Sequence, residues 1–154
     1  METTALTNED ITTSFAAEDV RPNSIEIKNI TVSFDTPKGV YTAVKEIDLT
    51  VKKGEIIALI GHSGCGKSTL MGTISGMTQP TGGEVIANGK KVKGPGPDRG
   101  IVFQNYSLLP WLSVQKNIYE AVDSVFKDKS KSEKIEIVNK NLKMVNLLDH
   151  KDKL

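Results

Sequence analysis

The chain has 154 residues, 38% of them apolar and 25% charged, a composition that excludes a fibrous or wholly disordered polypeptide. Its 20 basic and 19 acidic side chains leave a net charge of +1, which excludes an overall field that would draw in nucleic acid or an anionic membrane. A single cysteine excludes an internal disulfide, and no window approaches the roughly 18–20 consecutive apolar residues of a membrane-spanning helix, so any work at a membrane is done from outside the bilayer.

Residues 1–23 open on acidic and hydroxyl side chains, with neither the basic start nor the apolar centre of a secretory signal. They read as a flexible tail, and the cytoplasm is the expected compartment. From Ser24 the pattern alternates, with Ile25, Ile27, Ile30, Val32 and Phe34 separated by polar residues as in a half-buried strand. A second strand is expected over residues 43–51. Pro37 and Gly39 mark the turn between the two, and Lys52-Lys53-Gly54 marks the next. Together they suggest a small antiparallel meander. Residues 55–60, Glu-Ile-Ile-Ala-Leu-Ile, form a short apolar run typical of a strand buried on both faces. A glycine-rich loop follows at once, then helical spacing at Leu70, Ile74 and Met77, ended by Gly76, Pro80, Gly82 and Gly83. Asn88-Gly89, between residues 84–87 and 90–92, is the dipeptide best suited to a type I′ hairpin turn. After Gly94-Pro95-Gly96-Pro97, residues 100–103 read as another buried strand. Ser113 has the position of an N-cap for a helix carrying Val114, Ile118, Val122 and Phe126. Ser130 and Glu133 have the spacing of a capping box ahead of Ile135, Val138, Leu142 and Val145. The lysine-rich residues 127–134 between these helices read as a solvated linker.

The segment Gly61-His62-Ser63-Gly64-Cys65-Gly66-Lys67-Ser68 fits the phosphate-loop pattern G-x-x-x-x-G-K-[ST], and Thr69 adds a second hydroxyl. Strand, loop, helix is the order such a site requires. Gly61, Gly64 and Gly66 let the backbone turn its N–H groups inward round a phosphate, and the following helix adds its positive end. Lys67 is expected to bring an ammonium to the β- and γ-phosphates, Ser68 to ligate Mg²⁺, and Thr69 to contact the α-phosphate. The chain is therefore expected to bind a magnesium nucleoside triphosphate, ATP before others. His62, Ser63 and Cys65 occupy variable positions of the same cradle. Cys65 is expected to be a small, partly exposed spacer, because no base is paired with it in sequence to make it a nucleophile. Hydrolysis usually also needs an acidic group at the end of a further buried strand, and no such run follows the loop. The nearest, Val-Asn-Leu-Leu-Asp at residues 145–149, continues a helical period and reads as a helix end.

The loop, the later Val102-Phe103-Gln104 and the spacing between them resemble the ATP-binding subunit of an ABC transporter. Gly94-Pro95-Gly96-Pro97-Asp98-Arg99-Gly100, Gln104-Asn105 and Leu108-Leu109-Pro110-Trp111 resemble the nitrate, sulfonate, taurine and bicarbonate importer group within it. The resemblance covers residues 24–154 and implies an α/β fold of the P-loop NTPase type. A RecA-like core with an antiparallel β subdomain is implied over 24–104, and the start of a helical subdomain over 105–154. It further implies that Gln104 touches Mg²⁺ and the attacking water, and that Phe34 stacks on adenine, with Tyr41 as a competing stacker. The region from near Tyr106, with Leu108, Trp111 and the helix from Val114, would dock on membrane-spanning permease subunits. Implied partners are those permeases, a second ATP-binding subunit in a dimer and, indirectly, a solute-binding protein, with the chain peripheral on the inner face of the plasma membrane. Nitrate or bicarbonate is the expected cargo. The family's signature sequence, its Walker B strand with the catalytic glutamate and its switch histidine are not reached by Leu154. An incomplete domain that binds ATP much better than it cleaves it is therefore expected. Two other readings stand beside this one: a truncated nucleotide-binding protein without efficient hydrolysis, and a soluble P-loop kinase.

Overall fold

A computed structural model describes Thr7, residues 22–105 and residues 107–154. Of the expected tail only Thr7, Pro22 and Asn23 fall within it, and Tyr106 lies outside. The chain divides into two compact units between Ile101 and Val102.

In the first unit, β1 (Asn23–Thr36) and β2 (Gly39–Lys52) form a long antiparallel hairpin across the Pro37-Lys38 turn. β3 (Gly82–Ala87) pairs with the other edge of β1, and β4 (Lys90–Lys91) with β3, giving the order β2-β1-β3-β4. Both expected hairpins are present. Asn88 and Gly89 have φ of 48° and 75°, the positive values a type I′ turn demands. β1 is not regular, because its register slips between Ile27 and Ile30, where Asn29 takes φ 49° and donates its N–H to Asp48 Oδ1 at 2.9 Å. Glu46 makes a matching kink in β2 at φ 51°, its N–H donated to Thr31 Oγ1 at 3.1 Å. The slip changes which parity faces inward, so Ile27 before it and Ile30 and Val32 after it are all buried. A side chain at Gly83 would overlap the carbonyls of Lys28 and Asn29, so the bulge requires glycine opposite it.

α1 (Lys67–Ser75) drops Leu70 into the sheet's core, against a cluster that includes Ile30, Val32, Val44, Ile47 and Val85. Its end comes at Gly76, left-handed at φ 84°, whose N–H returns to the carbonyls of Gly72 and Thr73. Met77 therefore lies outside the helix it was expected to join, and it is 56% exposed. Two further expectations are corrected. Residues 55–60 and 100–103 are not strands, and Ile56, Ile60 and Val102 are 93%, 79% and 99% exposed. A strand exists only where its backbone pairs with a neighbour along an edge, and among the described residues none pairs with either segment.

In the second unit, α2 (Val114–Val125) and α3 (Lys131–Met144) meet through Val122, Val138 and Leu142, flanked by Ile118, Phe126 and Leu148. Both sequence caps are in place. Ser113 Oγ accepts the Lys116 N–H at 3.4 Å, Ser130 Oγ accepts the Glu133 N–H at 3.4 Å, and Glu133 Oε2 accepts the Ser130 N–H at 2.9 Å. Ser130→Ala is expected to lower the stability of this helical unit by about 1 kcal/mol, read as a shift in its urea midpoint at unchanged slope. The linker reading of residues 127–134 fails at Lys134, which is 7% exposed and sends Nζ to Asp123 Oδ1 at 2.9 Å, tying α3 to α2. Hydrogen bonds from Lys134 and then Lys127 hold the Asp123 carboxyl below its usual range, and the Ser130 hydroxyl and N–H do the same for Glu133. A carboxylate depressed in the folded state stabilises that state above its ordinary pKa, and the contribution is lost as pH falls through the folded value. Val145 is the C-cap of α3 and 55% exposed, so it does not continue the apolar series. Asn146 then turns left-handed at φ 56°, and a 3₁₀ turn, Leu148–His150, follows, so residues 145–149 are not a strand, but they lie beyond α3 rather than continuing its helical period.

Candidate nucleotide-binding site

The glycine-rich loop of residues 61–66 runs directly into α1, whose first residue is Lys67. Gly64 and Gly66 sit at φ 82° and 105°, a region that any other residue enters only with strain, and Gly66 is the N-cap of the helix. The cap has no side chain and the first turn holds no acid, so neither competes for the positive end of α1 or for its first N–H groups. Such an end suits an incoming phosphate.

Lys67 defines the electrostatics of the cradle. Its Nζ donates to Gly61 O at 2.8 Å and to His62 O at 2.7 Å, and lies 3.5 Å from Cys65 Sγ. The ammonium thus bridges the loop's own carbonyls. Phosphate oxygens are stronger acceptors than carbonyls for a charged donor, so a bound polyphosphate would draw the ammonium off them. Ser68, in the first turn, is exposed, as a hydroxyl that reaches a metal must be, whereas Thr69 is half-buried. His62 and Ser63 are exposed too, and the His62 ring pairs through Nδ1 with the Ser63 carbonyl at 3.0 Å. Among the described residues no group of three or more His, Cys, Asp and Glu is placed to hold a metal ion. The donors therefore fit a divalent ion held by phosphate oxygens with one hydroxyl from the chain, as Mg²⁺ prefers.

Cys65 departs from expectation. Its thiol is 5% exposed and belongs to the apolar core, where it anchors the loop to the sheet. Adding a Cβ to Gly61 would bring it to 3.0 Å from that sulfur, so a buried Cys65 and a small residue at 61 go together. The motif pattern leaves these two positions independent, and their contact belongs to the folded chain.

The hairpin supplies the aromatics. Phe34 and Tyr41 are register partners across β1 and β2, so their side chains share one face. Phe34 is 43% exposed, while the Tyr41 hydroxyl donates to Gly64 O at 3.5 Å. Tyr41 thus touches the loop through its hydroxyl and leaves Phe34 with an open ring. Gln104 belongs to the second unit, where it sits exposed in a bend.

The family model described as ABC transporter matches residues 44–154. The chain is 50% identical over 129 residues to the bicarbonate transport ATP-binding protein CmpD of Synechocystis sp., an alignment covering 84% of this chain and 46% of CmpD. It is also 50% identical over 121 residues to the nitrate import ATP-binding protein NrtC of Synechococcus elongatus, covering 78% of this chain and 18% of NrtC. The ATP-binding cassette MJ0796, solved as a post-hydrolysis dimer bound to ADP and Pi, superposes with a TM-score of 0.70 at 27% identity, over 83% of this chain and 60% of that one. The chain spans less than half the length of CmpD.

Proposed function

The chain belongs to the ABC transporter family, and from that premise we propose that it binds MgATP at residues 61–69 and forms the ATP-binding part of an importer for a small anion, bicarbonate or nitrate. The observation that carries the proposal is the Lys67 ammonium lying across the loop at the uncapped start of α1. The cargo reading is supported by the printed functions of the 50% identical relatives, one a bicarbonate transport and the other a nitrate import protein.

When bound, ATP would supply the chemistry of its terminal phosphoryl bond, and Mg²⁺ would neutralise charge on the phosphates. The residues do the holding. Lys67 exchanges the carbonyls of Gly61 and His62 for phosphate oxygens, Gly64 and Gly66 present backbone N–H groups, and Ser68 offers its hydroxyl to the metal. Phe34 offers its exposed ring to the adenine face. By the family resemblance alone, Gln104 would be the polar contact to metal and water. No helix among the described residues is long and apolar enough to cross a membrane; contact with membrane-spanning permeases is part of the proposal. The exposed Leu108 and Trp111 serve that contact, and a second ATP-binding subunit completes the assembly.

Gln104→Ala is expected to leave MgATP affinity within about twofold while lowering turnover of the assembled importer by about tenfold or more. Collapse of affinity would remove Gln104 from this role. Uptake of labelled bicarbonate and of labelled nitrate, compared between cells carrying the parent and Lys67→Ala, tests the importer reading. Loss of one of the two identifies the cargo, and loss of neither contradicts the proposal.

A further inference from the structure

Three residues on the surface of the second unit sit together against expectation for a soluble surface. Leu108 is 67% exposed, Trp111 71% and Leu109 37%, the last two in one reverse turn of residues 109–112 that precedes α2 and Leu108 immediately before it. The turn has Pro110 at its second position, where a fixed φ favours it, and its own closure is a single bond from the Leu112 N–H to Leu109 O at 3.0 Å. A four-residue turn with one internal bond does not hold a large exposed ring in one place unaided.

Asn117 supplies the rest. Seated in the first turns of α2 and half-buried, it reaches back with its amide, where Oδ1 accepts the Leu109 N–H at 2.8 Å. Nδ2 is shared among Leu112 O at 3.0 Å, Leu109 O at 3.1 Å and Ser113 O at 3.2 Å. Both ends of the turn are thereby fastened to one side chain. Among side chains only an amide both accepts and donates in this way, and glutamine would set the group one methylene too far out. The helix does not depend on it, because Ser113 caps α2 independently through the Lys116 N–H.

We propose that Asn117 is the positioning residue of this surface: it clamps the turn of residues 109–112 so that Leu108 and Trp111 are presented in fixed geometry to an apolar segment of a membrane-spanning partner. The presentation rests on the docking reading given above, while the clamp stands on the hydrogen bonds alone. A preordered contact loses less freedom on binding, so affinity falls when the clamp is removed even though no contacting atom is changed.

Trp111 is the only tryptophan in the chain, so its fluorescence reports this turn alone. In the full chain, Asn117→Ala is expected to lower the anisotropy of Trp111 and to raise its acrylamide quenching constant by about twofold, with far-UV helicity unchanged because the helix cap survives. Asn117→Asp, which keeps the acceptor for Leu109 and loses every donation, is expected to fall between parent and alanine variant. It also serves if the alanine variant does not fold. Anisotropy and quenching equal to the parent in both variants would overturn the clamp. In the assembled importer, Asn117→Ala is expected to weaken association with the permease subunits by about tenfold while MgATP affinity stays at the parent value. Altered fluorescence with parental association would overturn the presentation role, whereas parental association of Trp111→Ala would overturn the docking reading itself.

Discussion

Lys67→Ala is expected to erase the stabilisation that MgATP confers on this chain. At a hundredfold excess of ligand over Kd, the parent gains about 2.7 kcal/mol of unfolding free energy if the unfolded chain does not bind. The variant gains none, because the ammonium that lies across the loop is gone and the phosphates lose the charged donor placed for them. The size of the loss follows from the geometry. Lys67 Nζ sits within 2.8 Å of two loop carbonyls, so it is already positioned at the mouth of the loop and needs only to change acceptors. Those bonds also predict a smaller effect without nucleotide, since carbonyls at an exposed loop find water when the ammonium is removed. The check is a pair of melts, each with and without MgATP, for parent and variant. Equal stabilisation of both would place the phosphates somewhere other than the loop.

Leu70→Ala carries the second large expectation, a loss of about 2–5 kcal/mol in stability, against a typical total of about 5–15 kcal/mol for a natural domain. Leu70 is 0% exposed and is the side chain through which α1 enters the core beside Ile30, Val44 and Ile47. With nine residues, α1 is far too short to stand by its own hydrogen bonds, so its position is set by this anchor and by Cys65 just ahead of it. The same substitution therefore reaches the site: when Leu70 no longer fixes the helix, Lys67 and Ser68 lose their place relative to the loop. Urea unfolding of parent and variant measures the first effect, and MgATP titration the second. A loss below about 1 kcal/mol would mean that α1 is held elsewhere.

The sequence was most legible where a local rule sufficed. The Asn88-Gly89 turn, the Ser113 cap and the Ser130-Glu133 box each depend on a few adjacent residues, and each is in place, while the glycine-rich loop leads into α1 as expected but without the strand expected before it. With the meander and the TM-score of 0.70 to an ABC cassette, they make the fold a partial ABC ATPase domain of the P-loop type. The bulges had a visible signal that alternation alone obscured. Buried positions in β1 pass from odd at Ile27 to even at Ile30 and Val32, and a parity change within one strand requires an extra residue. What local reading could not reach were properties of pairs. Residues 55–60 and 100–103 have the composition of buried strands, but a strand exists only beside another, and composition does not say whether one is present. Lys134 looked like one lysine among several until Asp123, eleven residues earlier, proved to face it. Within the site, the contacts of Cys65 with the core and of Tyr41 with Gly64 join residues that the motif pattern treats as independent.

The claim at the centre of this account is that the loop grips the β- and γ-phosphates of a nucleotide. Equilibrium titration of the full chain with ATP, ADP and AMP in the presence of Mg²⁺ tests it most directly. ATP and ADP are expected to bind, and AMP, which offers Lys67 and Ser68 no β-phosphate, to bind weaker by about a hundredfold or more. AMP binding as tightly as ATP, or no binding of ATP at all, would contradict it.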